Sequence, residues 1–252
     1  MPRIIPEAGK LPNAEADALE VFKVLKAGGI AIVPTEVGYG IVAASSEGIE
    51  RAFTAKQRKP GHTLGIIGTY DAHRQLHDLP DEKFEISRVM TQEMGSLLAV
   101  IAPYRREHER LQCLSPETLS RVTKDGTMGI AITEGPFQHA LGKLNDDDGQ
   151  LMIGSSANLT GQGQKFRVED IEDEVKHCAE LIVDYGLQRY HSYGRAGTNI
   201  DLQNMKVLRM GAGYEVFAAR MWKWFNIALP DDAELTPLAE AKSVGVSVKL
   251  EN

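Results

Sequence analysis

The sequence predicts an α/β domain, a sheet with helices packed on it. Two observations carry that prediction. Short apolar runs of strand length alternate along the chain with capped, amphipathic stretches of helix length. Proline, glycine and small polar residues punctuate the junctions between them. The 252-residue chain is long enough to close one core.

The elements follow in order. Asn13 caps a helix over 14–27, with Leu19, Phe22 and Leu25 on one face and Gly28 ending it. Gly29 to Val33 is a buried strand stopped by Pro34, and Tyr39 to Ala43 is the next strand. Ser46 caps a helix to about Lys56 that turns Ile49, Ala52 and Phe53 inward. A strand at 64–67, helices at 71–77 and 83–94 and a strand at 97–102 come next. Ser115-Pro116-Glu117 starts a helix, with serine at the cap and proline in the first turn. Strand 128–132, helix 136–144, strand 151–155, helix 168–178 and strands 181–184, 198–201 and 206–209 complete the sheet. Asn145 to Gly149, with three aspartates, reads as an exposed turn rather than a metal site.

Residues 214–226 form a further helix. Phe217, Met221 and Trp224 share a face there, and Val216, Trp222 and Phe225 widen it. That face packs on its own domain or makes a homodimer contact. The tail from about Asp231 is polar and is expected to be mobile.

Composition removes several function classes. No apolar run reaches the roughly 20 residues that span a bilayer, and the N-terminus carries no secretory signal pattern, so a cytoplasmic protein is expected. Two cysteines, Cys113 and Cys178, have no partners at zinc-ligand spacing, and no metal ligand set is expected. A net charge of −7 argues against nucleic acid as the main partner.

Four segments carry chemistry. Between two strands, Pro34-Thr35-Glu36-Val37-Gly38-Tyr39-Gly40 combines a rigid turn, a hydroxyl and glycines that let the backbone approach a ligand. Lys56-Gln57-Arg58, followed by Lys59-Pro60-Gly61-His62, places cations at a helix C-terminus, where the dipole favours them and where they also suit phosphate. Gly154 to Gly161, reading GSSANLTG after a strand, suits an anion-binding loop. Thr198-Asn199-Ile200-Asp201-Leu202 and Val207-Leu208-Arg209-Met210-Gly211 aim a cation from the end of a strand. Taken singly, each also reads as an ordinary turn or surface pair.

Together, in this order and spacing, they resemble the YrdC-like threonylcarbamoyl-AMP synthase family over about residues 14–213. The resemblance implies a twisted, mixed, mostly parallel sheet with flanking helices and an open, locally positive cavity. Residues 1–213 would form the nucleotide-binding catalytic domain, and 214–252 a C-terminal helix and tail. It implies an ATP-dependent nucleotidyltransferase that joins L-threonine, bicarbonate and ATP into threonylcarbamoyl-AMP, releasing pyrophosphate, for the t6A modification of tRNA. ATP would be a substrate, with Mg²⁺. Carried over residue by residue, Lys56, Arg58 and Ser156 are the catalytic candidates. Lys56, Arg58, Ser156, Asn158, Thr198, Asn199 and Arg209 would bind the nucleotide, and Thr35, Tyr39 and His62 the threonine.

The chain departs from the family at three places. Thr91 to Ser96 replaces a tryptophan-proline-glycine-proline segment, Ala131 stands where the family has an arginine, and Pro60 is displaced by one position. A threonine-using enzyme would need another cation near Ala131, with Arg105, Arg106 and Arg195 as candidates. Otherwise the acceptor differs, or the cleft serves as a non-catalytic nucleotide- or RNA-binding site.

Overall fold

The computed structural model describes residues 2–58, 61–132 and 134–230. Lys59, Pro60 and the tail from Asp231 lie outside the described residues.

Helices and strands alternate as the patterning requires. The order is β1 (Arg3–Ile4), α1 (Ala14–Lys26), β2 (Ile30–Thr35), β3 (Gly38–Ala43), α2 (Ser46–Ala55), β4 (Gly65–Gly68), α3 (Tyr70–Leu76) and α4 (Asp81–Arg88). A π turn (Val89–Glu93) leads to β5 (Leu98–Pro103), α5 (Glu109–Gln112), α6 (Pro116–Val122), β6 (Thr123–Lys124), β7 (Thr127–Ile132) and α7 (Pro136–Asp147). Then come β8 (Ile153–Ser156), α8 (Asp173–His177), β9 (Leu181–Val183), β10 (Thr198–Asp201), β11 (Lys206–Arg209) and α9 (Tyr214–Phe225). Asn13 and Ser115 cap α1 and α6 as expected, whereas Ser45, not Ser46, caps α2 by accepting from Gly48 N at 3.0 Å.

The strands form one mixed sheet in the order β1-β9-β2-β3-β8-β4-β7-β5-β10-β11, with β6 beside β7. Among the described residues four ladders are parallel and six antiparallel, so the sheet is mixed. Pro34 does not stop its strand. It pairs with Tyr39 inside β2, and this costs no ladder bond because β9, on the other side, pairs only with Ala31 and Ile32.

Side-chain alternation divides the core. On β2, Ile30 and Ile32 enter a cluster with Ile49 and Phe53 of α2, while Ala31 and Val33 enter one with α1 and α7 through Val21, Leu25, Phe137 and Leu141. A third cluster joins Leu98 and Val100 of β5 and Ile200 of β10 to Phe84 of α4 and to α9. On the face that α1 and α7 cover over one half of the sheet, the other half stays open. Ile67, Ala131, Ala99, Asn199 and Arg209 of β4, β7, β5, β10 and β11 line a cavity there.

Two further expectations are corrected. Asn145 and Asp146 belong to α7, not to an exposed turn. Asn145 is buried, and Asp146 accepts from Thr69 Oγ1 at 2.5 Å and from the buried Arg110 at 2.9 Å, so it braces α7 against the strand ends. In α9 the buried stripe is Tyr214, Phe217 and Met221, extended by Phe225. This stripe turns Trp224 to its edge, where it is 60% exposed, and leaves Val216 and Trp222 exposed as well. The helix therefore packs on its own domain.

Truncation of the fully buried Met221 to alanine is expected to cost about 2–5 kcal/mol. Trp224→Ala should stay within about 0.5 kcal/mol, because it leaves no cavity. Urea unfolding of both variants distinguishes this arrangement from one in which the tryptophan face is buried.

Candidate active site

The loop after β8 is held from beneath by one buried cation. Lys56 follows the last turn of α2 and is 1% exposed. Its Nζ donates to the carbonyls of Ser156 and Asn158, while its own carbonyl accepts from Thr160 N at 3.1 Å and Thr160 Oγ1 at 2.8 Å. A second brace comes from Glu172, which accepts from Leu159 N at 3.1 Å and pairs with Lys165 at 2.6 Å. Burial, and then the charge of Arg58, lower the Lys56 ammonium to about 7. The two carbonyl acceptors oppose that shift.

Gln57 takes a left-handed φ of 51°, and this reversal sends Arg58 the other way, into the cavity. Arg58 Nη1 donates to Thr63 O at 2.8 Å. Its Nε is buried and has no hydrogen-bond partner among the described residues, and burial lowers the guanidinium pKa. A buried donor on a cation without an acceptor suits an incoming anion. The cavity encloses about 730 Å³, within the range of small-molecule sites. Ser155 and Ser156 reach it from the end of β8. Asn199 and Arg209 close it on the far strands, where Arg209 Nη2 donates to Asn199 Oδ1 at 2.8 Å and Nε to Gly197 O at 2.9 Å. Thr35 also lines it, with its hydroxyl donated to Gly38 O at 2.6 Å. Gly38, at a φ of 125°, lies so close to Gln164 that a Cβ would collide with that side chain.

Of the residues expected at the site, Thr35, Arg58, Ser156, Asn199 and Arg209 meet in the cavity, and four do not take the expected place. Lys56 faces inward rather than towards a phosphate. Asn158 is buried behind the loop, with Nδ2 donating to its neighbour Leu159 O at 2.5 Å. Thr198 is 1% exposed and accepts from Gly211 N at 3.1 Å, tying β10 to the turn after β11. His62 is exposed and does not line the cavity, although its neighbour Thr63 does. Tyr39 touches the cavity wall, but its ring is fully buried and its hydroxyl is engaged by Gly186 O at 2.8 Å and Tyr185 N at 3.0 Å. Burial beside Asp184 pushes that phenol pKa up.

The cations Arg105, Arg106 and Arg195 do not line the cavity beside Ala131. Arg105 donates to Arg74 O and Gln75 O at 2.9 and 2.8 Å, Arg106 lies over Tyr104, and Arg195 pairs with Glu215 at 3.6 Å. Sequence reasoning missed Lys124, Glu134, Gln138 and Gln164, which do line it. For Glu134 and Gln138 the signal was Glu-Gly-Pro between an apolar strand and a helix, a junction that opens α7 at the ends of the strands.

The Sua5/YciO/YrdC family model, described as telomere recombination, matches residues 23–211. A comparison with curated proteins returns no match. Among solved structures, P. abyssi Sua5 complexed with L-threonine superposes with a TM-score of 0.64 at 19% identity over 83% of this chain. This chain spans 57% of the length of that protein. A hypothetical protein of Streptococcus mutans UA159 gives 0.65 at 23% identity, covering 84% of both chains. Full-length HypF in its phosphate- and nucleotide-bound form gives 0.61 at 15% identity, covering 81% of this chain and 30% of its own.

The buried Lys56 makes stability pH-dependent with a definite sign. Between about pH 7 and the ordinary lysine value of 10.5, the unfolded chain holds the Lys56 proton and the folded chain releases it. Unfolding free energy therefore rises with pH through that window and is lost as pH falls towards 7. Lys56→Met is expected to flatten the rise, as read by urea unfolding of both proteins at pH 6.5 to 10.

Proposed function

The chain belongs to the Sua5/YciO/YrdC family, and from that premise we propose that it forms a carbamoyl-adenylate from ATP, bicarbonate and an amine acceptor, releasing pyrophosphate. The observation that carries the reading is the buried Nε of Arg58, without a hydrogen-bond partner among the described residues, on the wall of the open cavity that also receives Ser156. Bicarbonate gives carbon dioxide by losing hydroxide, the neutral amine forms an N–C bond to that carbon, and the proton the nitrogen sheds joins the hydroxide as water, leaving a carbamate. A carbamate oxygen then bonds to the α-phosphorus as the bond from that phosphorus to the bridging oxygen breaks, and pyrophosphate leaves with the electron pair. Charge grows on phosphate oxygens throughout, so fixed donors and positioning supply the catalysis, with no protein nucleophile. Arg58 and the Ser155–Ser156 hydroxyls are assigned to the phosphates, Asn199 and Arg209 to the nucleoside side, and Thr35 to the acceptor. Lys56 positions the loop. Mg²⁺ enters with the nucleotide as part of the substrate.

The bound ligands of P. abyssi Sua5 and of HypF, L-threonine and a nucleotide with phosphate, are compatible with such a cavity. Threonylcarbamoyl-AMP synthesis in the cytoplasm, serving t6A in tRNA, is the reading by kinship. A different acceptor is favoured by the floor around Ala131. Ile67 and Ala99 flank it in register, and a substrate carboxylate lying there would meet only apolar side chains.

Arg58→Ala is expected to weaken ATP binding about tenfold to a hundredfold without lowering the melting temperature, since it removes charge-assisted donors and no core. Calorimetry with ATP checks this, and unchanged affinity would remove the assignment. Mass spectrometry after incubation with ATP, bicarbonate and separate amines is expected to show pyrophosphate and an adenylate only when bicarbonate is present.

A further inference from the structure

The cavity is chemically polarised along β7. Its cations Arg58 and Lys124 lie at the start of that strand, Arg58 bonded to Thr63 ahead of β4 and Lys124 paired with Thr127, and the carboxylate of Asp125 lines the cavity beside them, so two cations outweigh one carboxylate at this end. Glu134 lies two residues past its end, where it lines the cavity together with Glu36 from the β2–β3 turn and Gln138 from the first turn of α7. At about 3.3 Å per residue, the two ends stand roughly 20 Å apart. Arg209 lies in the same row as Ala131 but three strands away, roughly 14 Å in backbone, and is engaged by Asn199 and Gly197.

The far end consists of acceptors. Gln138 is 4% exposed. Its Nε2 donates to Pro34 O at 2.6 Å, which leaves Oε1 buried without a hydrogen-bond partner among the described residues. Glu134 accepts one bond, from Gln92 Nε2 at 3.1 Å. Glu36 meets the exposed Arg189 at 3.3 Å on its outer side, and its other oxygen packs against Gly135, whose φ of 98° opens α7. Burial, and then the charge of Glu36, raise the Glu134 carboxyl, so the two carboxylates repel each other across this end. A buried, unpartnered acceptor beside two carboxylates is satisfied by a donor that carries positive charge.

We propose that Glu36, Glu134 and Gln138 form a seat for an organic ammonium group with no carboxylate beside it. The proposal rests on the carbamoyl-adenylate reading for the chemistry, but the seat itself is a binding site. A nitrogen held between two carboxylates keeps its proton, so it cannot add to carbon dioxide; it anchors the acceptor. The reacting amine is then a second one, directed towards Arg58 and Ser156. That requirement identifies the acceptor as a diamine. An α-amino acid is disfavoured at this end, because its carboxylate would sit against Glu36 and Glu134 over the apolar floor of Ala131 and Ala99.

The test is calorimetry of the full chain with 1,4-diaminobutane, L-threonine, MgCl₂ and ATP, each alone, in wild type and in the Glu134→Gln and Glu36→Gln variants. The diamine is expected to bind more tightly than threonine. Each variant should weaken diamine binding by about tenfold or more while leaving ATP affinity and melting temperature unchanged. No diamine binding to wild type, equal binding in the variants, or a seat that takes Mg²⁺ instead would overturn the proposal. Failure of wild type to bind ATP would sink the carbamoyl-adenylate reading and leave the diamine result to stand or fall separately. Pyrophosphate release with bicarbonate and 1,4-diaminobutane, and little with L-threonine, is the expected activity.

Discussion

The site depends on a charge buried beneath it. Lys56 places an ammonium under the loop after β8 and donates to two of its carbonyls, while the Lys56 carbonyl takes two bonds back from Thr160. Burying a charge is tolerable only where acceptors satisfy it, and here those acceptors are the backbone of the loop that reaches the cavity. The same residue therefore ends a helix, shapes an anion-facing loop and, through the reversal at Gln57, turns Arg58 outward. Removing its nitrogen would leave the buried carbonyls of Ser156 and Asn158 short of a donor.

The cavity itself results from incomplete coverage. Helices α1 and α7 cover one half of a sheet face and leave the other half open. Small residues, Gly65, Gly129, Ala99 and Ala131, occupy the middle of its floor between Ile67 and Ile101, so that room is available above the strands. Polarity then comes from the ends of the strands. The segment preceding β4 brings Arg58 and β6 brings Lys124, with Asp125 beside it, while the β2–β3 turn brings Glu36, the segment before α7 brings Glu134 and the first turn of α7 brings Gln138. Helix α9 closes the third core cluster and takes no part in the cavity wall.

Nearly all the regular elements were legible, because apolar periodicity and caps are local signals. Asn13, Ser115, Gly28 and the stripe of α2 act within a few residues of themselves, whereas on α1 the buried stripe is Ala18, Val21 and Leu25, rotated from the expected Leu19, Phe22 and Leu25 so that Leu19 is exposed. The short pieces β1, β6 and α5 were not legible, since two-residue strands exist only through their partners β9 and β7 and a four-residue helix is a single turn with too few residues to show a period. At the site, the segments were found but not the direction of each side chain. Lys56 and Arg58 are two residues apart and chemically alike, yet one is buried and the other lines the cavity. The difference lies in a single left-handed residue that no periodicity marks.

The sequence alone determined the α/β class, the order of the elements, the four segments that converge on one cleft and the family they resemble, because these rest on spacing and residue type. The tertiary structure decided which of those residues face the cavity. Burial and pairing across distant strands put Lys56, Asn158 and Thr198 behind the wall, and brought Glu36, Glu134 and Gln138 together from the β2–β3 turn and the start of α7. Such a juxtaposition is a property of the strand order, β2 beside β3 and β7 far along the sheet, and residues about 100 positions apart carry no local trace of it.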